Sequence, residues 1–450
     1  MRAQASLEKP VKSRDVLAIA VPMILSNATT PLVGLADTAV IGQLNNPALI
    51  GGVALGSTIF SMLFWAFGFL RMGTTGLTAQ ASGAGDGAGI AANLNRALFV
   101  ALAAGALLFL FHAPLVLFIL SLTGGTFEVQ TAAADYFGIR ILSAPATLAN
   151  YALAGWLIGL ARANLAFVLQ LFLNALNIAL AIFLVLFAGK GLQGAATAAV
   201  IAEYAAVLAG LLAARQLLRK NAAKAAPLFE ARAFRKLVAV NGDIMIRTIC
   251  LMFAFTFFAA QGARLGDVAL AANSVLRSLS DLSAFVLDGF AFAAEVLVGQ
   301  AVGAGSFQRF RQAAALSSIW AAVLAVAVSV AFFAAGLFLI ELMTPTPSVR
   351  EAAREFLPWA AMTPLFGVAC FQLDGIFIGA TRTADMRNMM IVSLAVFLAA
   401  WWLLMPAFGN HGLWASFMVF YIARAITLGS RYPSLERAVA GPPVSATAAA

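Results

Sequence analysis

Long apolar stretches alternate with short polar ones along the whole of this chain. Stretches long enough to cross a bilayer, about 20 residues each, fall near residues 16–43, 50–78, 93–120, 131–155, 162–188 and 192–214. Six more fall near 236–262, 269–298, 312–341, 352–379, 386–408 and 411–430. The pattern predicts an all-α integral membrane protein with twelve transmembrane helices. Turn-forming runs separate the stretches, among them Gly83-Ala84-Gly85-Asp86-Gly87, Thr123-Gly124-Gly125 and Thr344-Pro345-Thr346-Pro347.

The apolar pattern also repeats. Gln80-Ala81-Ser82-Gly83-Ala84-Gly85 matches Gln300-Ala301-Val302-Gly303-Ala304-Gly305 in all but one position. Gly159-Leu160-Ala161-Arg162 recurs as Gly379-Ala380-Thr381-Arg382, and Gly191-Leu192 as Gly412-Leu413. The division this implies is a cytoplasmic tail over 1–15, an N-lobe over 16–214, a basic connector over 215–235, a C-lobe over 236–430 and a second tail over 431–450. Six spans per lobe, an even number, put both repeats in the same orientation. Two parallel six-helix repeats around a central cavity are a transporter architecture.

Composition agrees. Of the 450 residues, 62% are hydrophobic and 10% charged, against about 25% charged in soluble domains. The net charge of +9 would suggest nucleic acid were it not for its placement. Lys9, Lys12, Arg14, Arg215, Arg219, Lys220, Lys224, Arg232, Arg235 and Lys236 lie between apolar stretches, as expected of cytoplasmic segments. Both termini are therefore expected in the cytoplasm, with no nucleic-acid partner. The apolar run after the basic N-terminus is too long for a cleaved signal. Cys250 and Cys370 lie inside apolar runs and read as buried small hydrophobes.

A few polar residues interrupt the spans, and such groups usually mark pathways or proton relays. Asp37 stands about 30 Å along a helix begun at Val16, with apolar residues on both sides. Pro31 removes a backbone donor six residues before it and is expected to bend the helix. Gly34 leaves a gap beside the carboxylate. The bland alternative is a structural Asp bonded to other helices. In the fifth span Gln170, Asn174 and Asn177 share one helix face; they could bond Asp37, line a wet cavity, or serve as interhelical glue. Asn27, Asn150 and Thr197 are weaker candidates for the same cavity.

The eighth span carries Asp281, Asp288 and Glu295 at heptad spacing, with Arg277 one turn before the first. Asp288 is expected to be the deepest of the three. Asp243 and Arg247, at i, i+4, read as an internal ion pair. Asp374 in the tenth span has an open role.

Other chemistries find no support. No phosphate-binding loop of the G-x-x-x-x-G-K-[ST] kind occurs, nor HExxH, nor a cysteine cluster. No metal, cofactor or enzymatic activity is expected, and uphill transport would draw on an ion gradient.

The chain resembles the multidrug and toxic compound extrusion (MATE) transporters, specifically their DinF-like branch. The resemblance runs from Val21-Pro22-Met23 to Arg424. Its most specific stretches are Asp37-Thr38-Ala39-Val40-Ile41-Gly42, Arg71-Met72-Gly73-Thr74-Thr75-Gly76-Leu77-Thr78-Ala79-Gln80, Asn241-Gly242-Asp243-Ile244-Met245-Ile246-Arg247, Leu287-Asp288-Gly289-Phe290-Ala291 and the run from Leu373 to Arg382. It implies export of varied, often cationic or amphipathic compounds by cation antiport, with Asp37 as the proton carrier and Asn150, Asn174, Asn177 and Thr197 as an N-lobe polar cluster. The family often has an acid where this chain has Ala181, which weakens a Na⁺ site and favours the proton.

The expected function is thus a secondary active transporter of small molecules, working by proton-coupled antiport with alternating access. Na⁺-coupled antiport and a lipid or lipid-linked-precursor flippase of related fold are the alternatives. Acids outnumber arginines within the spans, which favours cationic or neutral cargo. A monomer in the inner (plasma) membrane is expected.

Overall fold

The computed structural model describes residues 10–44, 46–122, 126–219 and 230–441. Among them every regular element is helical. Helix α1 is Ser13–Gly42 and its backbone stays helical through Pro31 and Gly34; the Pro31 side chain lies outside the described residues, and with it the expected bend. The second span is two helices, α2 (Pro47–Ala66) and α3 (Phe69–Gly83). The third is α4 (Gly87–Leu110) followed by α5 (His112–Leu122). The fourth is α6 (Phe127–Arg140), a tight turn at Ile141–Ser143, and α7 (Ala144–Gly159). Next come α8 (Ala163–Ile182), ending in a widened turn over Phe183–Phe187, and α9 (Gly191–Arg219). The Thr123-Gly124-Gly125 turn and connector residues 220–229 lie outside the described residues.

In the second half α10 is Ala231–Ala263, α11 Asp267–Gly303, α12 Phe307–Met343 and α13 Pro347–Gly379. Helix α14, Thr383–Gly429, is two helices joined at Gly409, where φ is 55°. Only glycine adopts that conformation without strain. The break falls between the eleventh and twelfth expected spans. A short α15, Tyr432–Ala440, follows; residues 442–450 are not among those described.

Local chemistry sets the helix starts. The Asn46 side chain accepts from the backbone of Ala48 at 3.0 Å, and Asp86 Oδ1 from Gly89 at 2.8 Å. Each occupies a donor that the first helical turn leaves unpaired. The repeat noted in the sequence extends to backbone detail. Ala161 and Thr381 both adopt positive φ, 56° and 53°. After each, the next amide closes the same turn: Arg162 N to Leu157 O and Arg382 N to Phe377 O, both at 2.9 Å.

The chain divides into two compact units, one of residues 25–78 and 86–237, the other of residues 1–24, 79–85 and 238–450. In the first, Val40 and Ile41 at the end of α1 pack with Val53, Ala132, Tyr136, Leu192 and Ala195. Trp156 is wholly buried and donates to the Ile90 carbonyl at 2.9 Å. In the second, an aromatic cluster joins Phe258, Phe397, Trp414, Phe417 and Tyr421. Asn273 and Asn410 exchange amide hydrogen bonds inside it at 2.8 and 3.0 Å.

The second unit also contains a close helix crossing. A Cβ added at Gly83 would overlap the Gln300 carbonyl, and one added at Gly303 would overlap the Gln80 carbonyl. The glycines of the repeated motif are thus each other's mirror contacts. Gln80 Nε2 adds bonds to Gly379 O at 3.0 Å and Thr381 Oγ1 at 3.1 Å.

Helix α12 illustrates how faces are assigned. Ile319, Val323, Val326, Val330, Phe333 and Leu337 are exposed, at i, i+4, i+7 and onward. Ser317, Ala321, Ala325, Ser329 and Gly336 are buried on the other side. A soluble helix would show the reverse; large apolar residues outward and small ones inward suit a lipid surround.

Candidate functional site

In the first unit α1 carries Asp37 five residues before its end, nearer one helix terminus than the middle. The residue is 7% exposed, and among the described residues its Oδ1 accepts no hydrogen bond. The gap expected at Gly34 is present, since a Cβ there would meet nothing within 4 Å. Thr38 Oγ1 turns back to the Gly34 carbonyl at 2.9 Å, so the neighbouring hydroxyl is committed elsewhere.

Among the described residues, Arg140 is a positive charge within electrostatic range of Asp37. It ends α6, where the helix tightens into the Ile141–Ser143 turn. Its guanidinium donates to Ser143 Oγ and lies 4.1 Å from the Phe60 ring centroid, a cation–π geometry. Its Nη2 stands 3.5 Å from Glu203 Oε1 on α9. Tyr136, one turn earlier on α6, makes polar contacts with Arg140 and Ser57 and also feels Asp37.

Glu203 is held on a second side. Asn150 Nδ2 donates to Glu203 Oε2 at 2.7 Å and to the Glu203 carbonyl at 3.0 Å. Asn150 therefore joins the site through Glu203. Arg140 and Glu203 were not among the expected site residues. The signal for Arg140 is an arginine inside the fourth apolar run and that for Glu203 an acid inside the sixth; spacing along either helix does not show that the two meet.

The amide stripe of α8 does not bond Asp37. Gln170 Nε2 donates to Asn174 Oδ1 at 3.0 Å, and Asn174 Nδ2 to Thr29 Oγ1 at 2.9 Å. Thr29 is eight residues before Asp37, about 12 Å along α1. The shared face was legible from spacing; which part of α1 it meets was not. Asn177 is buried with Oδ1 accepting nothing among the described residues. Thr197 Oγ1 bonds its own helix at Gln193 O, 2.7 Å. Ala181 is 1% exposed.

In the second unit the expected Asp243–Arg247 pair does not form. Arg247 instead bonds Asp374 Oδ2 on α13, and Arg424 Nη2 reaches the same oxygen at 2.7 Å. Asp243 pairs with Arg387 Nη1 at 2.5 Å and accepts from Thr383 Oγ1 at 2.9 Å. Residues four apart on a helix share a face, but a partner on a packed helix displaced the local one at both ends. Asp374, left open by the sequence, is an acid between two buried arginines.

The α11 stripe grades in burial. Asp281 has 49% of its side chain exposed and pairs with Arg277 Nε at 2.9 Å. Asp288 is half-buried, within electrostatic range of Cys370. Glu295 is 2% exposed. The deepest of the three is therefore Glu295 and not Asp288. It lies where α13 crosses closest, since a Cβ at Gly379 would overlap the Glu295 carbonyl.

The family model described as MatE matches residues 22–183 and 244–401, one stretch in each half. The chain is 43% identical over 420 residues to the DNA damage-inducible protein F of Escherichia coli (strain K12), covering 92% of this chain and 90% of that one. It is 26% identical over 474 residues to the probable multidrug resistance protein NorM of Rhizobium meliloti (strain 1021), covering 98% of both. Among solved structures it superposes on an outward-facing multidrug resistance MATE family transporter of the MOP superfamily with a TM-score of 0.85. The identity there is 19%, with 96% of this chain and 100% of that one covered. A MOP superfamily transporter from Pyrococcus furiosus gives the same TM-score at 19% identity, covering 98% and 99%. The structural matches speak for the fold; the sequence matches speak for kinship.

Proposed function

The chain belongs to the MatE family of multidrug and toxic compound extrusion transporters, and on that premise we propose that it exports small organic cations and amphipathic compounds by proton antiport. It is a multi-pass membrane transporter rather than an enzyme. The observation that carries the reading is Asp37, buried at 7% exposure with an oxygen that no described group satisfies. A buried carboxylate left unsatisfied is costly in its charged form. It gains by taking up either a proton or the positive group of a substrate, and it cannot take both. Deprotonated Asp37 binds cargo from the cytosol; a proton arriving from outside displaces it, and alternating access couples the two exchanges.

Coupling by H⁺ rather than Na⁺ is supported by the neighbourhood of Asp37. Sodium wants several oxygen ligands, and here the position of the family's second acid is Ala181 while a guanidinium stands within electrostatic range. We read Asn174, Asn177 and Gln170 as lining polar groups and Asn150 as part of the Glu203 tie. Asp374, Asp243 and Asp281 are read as structural counter-charges of arginines. Both termini are proposed to face the cytoplasm and the membrane to be the inner (plasma) membrane, with the monomer as the working form.

The test is dye transport in proteoliposomes under an imposed pH gradient, with a sodium gradient as the second arm. Proton-driven uptake in the wild type and its loss in Asp37→Asn are expected. Uphill transport by Asp37→Asn at the wild-type rate, or transport driven by sodium alone, would overturn the reading.

A further inference from the structure

Among the described residues of the first unit, Asp37 and Glu203 are buried carboxylates that both feel the Arg140 guanidinium, and the two acids are held differently. Glu203 is anchored: Arg140 stands 3.5 Å from Oε1 and Asn150 bonds Oε2 at 2.7 Å. Asp37 has Arg140 as an electrostatic neighbour, and among the described residues its Oδ1 accepts no hydrogen bond. Arg140 is itself steered from three sides, by Ser143, the Phe60 face and Tyr136. Ser143 in turn bonds the Arg140 carbonyl at 2.8 Å and lies 3.4 Å from Thr147 Oγ1.

We propose that Arg140 is a positioning residue of the coupling site, its guanidinium shared between Glu203, which holds it in every state, and Asp37, which draws on it only when deprotonated. This rests on reading Asp37 as the proton carrier. A guanidinium presents five N–H donors in a rigid fork, enough to face two acids at once. In a low-dielectric interior, loss of one of the two negative charges changes the force on the cation substantially. Protonation of α1 is then felt at α6, where Arg140 sits on the joint between α-helix and tight turn, and through Glu203 at α9. Glu203 thereby takes the place of the second acid that position 181 lacks, but as an anchor for Arg140 instead of a cation ligand.

Among the described residues, Asp37 on α1, Tyr136 on α6, Tyr151 on α7 and Glu203 on α9 are electrostatic neighbours of this cation, and Tyr151 also feels Arg71 on α3. An arginine has the same sign as Arg140, and a tyrosine hydroxyl is a weaker acceptor for a guanidinium than a carboxylate. Of these groups the two carboxylates compete for Arg140.

The experiment is the pH dependence of dye binding and of proton-driven dye transport in full-length protein, for wild type, Arg140→Gln, Arg140→Lys, Glu203→Gln and Asp37→Asn. Removing the cation leaves Asp37 holding its proton more tightly, so Arg140→Gln is expected to move the midpoint about one pH unit alkaline, with Arg140→Lys restoring most of it. Glu203→Gln frees the guanidinium for Asp37 and is expected to move the midpoint in the acid direction. Opposite shifts from two neighbouring variants are not produced by loosened packing. Midpoints within 0.3 unit (about the resolution of the titration) in both variants, with Asp37→Asn abolishing the pH dependence, overturn the role of Arg140 alone. PH dependence that survives in Asp37→Asn overturns the proton-carrier reading itself. Should Arg140→Gln fail to fold, the direction of the Glu203→Gln shift decides.

Discussion

Glu203 and Arg424 occupy matching places in the last spans of the two repeats, set by the Gly191-Leu192 and Gly412-Leu413 pairs, and each ties its span to another by a salt bridge of opposite sense. Glu203 on α9 faces Arg140 at 3.5 Å, and Arg424 in α14 faces Asp374 on α13 at 2.7 Å. The repeat has kept a buried ionic tie between its fourth and sixth spans while exchanging the signs. In the first half the cation end of the tie is within electrostatic range of Asp37; in the second the acid end is shared by two arginines.

That sharing makes Asp374 the residue whose loss is felt most. Asp374→Asn leaves Arg247 and Arg424 as like charges without their common counter-charge. Removing one partner of a buried ion pair costs about 3–5 kcal/mol. Arg424→Met leaves a neutral Asp374–Arg247 pair and is expected to cost less. Thermal unfolding in detergent should rank Asp374→Asn below Arg424→Met.

The pairing of Asp243 is open to a double-mutant cycle. Asp243 with Arg387 should show coupling of about 0.5–3 kcal/mol, and Asp243 with Arg247 should be near additive. Denaturation of the single and double variants measures both. A coupling confined to the i, i+4 pair would contradict the structure.

Asn150 is expected to matter through Glu203. Asn150→Ala removes the donor to Glu203 Oε2 and should cost about 1–3 kcal/mol, the penalty of an unsatisfied buried acceptor. Asn150→Asp should be worse, because it sets a second negative charge against the first. Melting temperatures of the two variants test the order.

The Gly83–Gly303 crossing gives a steric prediction. A methyl group at either glycine overlaps a carbonyl of the facing helix, and backbone cannot yield as a side-chain tip can. Gly83→Ala and Gly303→Ala are each expected to destabilise by about 1–3 kcal/mol. The double variant should be less than additive, since the helix shift that admits one methyl also makes room for the other. Thermal melts of the three proteins decide it.

Much of this protein is determined by its sequence alone. The spans follow from apolar length, because a bilayer core admits only chain that satisfies its own backbone. The internal repeat follows from glycine motifs that recur because the same close approaches recur. Asp37 stood out because a carboxylate in an apolar helix is expensive. Tertiary structure decided who answers whom. Arg247 lies one turn from Asp243 but bonds Asp374, 127 residues away; Asn174 shares a face with Asn177 but bonds Thr29, 145 residues away. Helical period fixes the direction a side chain takes from its own axis, and it carries no information about which other helix is packed there. For that reason Arg140, an arginine inside the fourth span, becomes the partner of Glu203 and an electrostatic neighbour of Asp37 only through the packing of the helices.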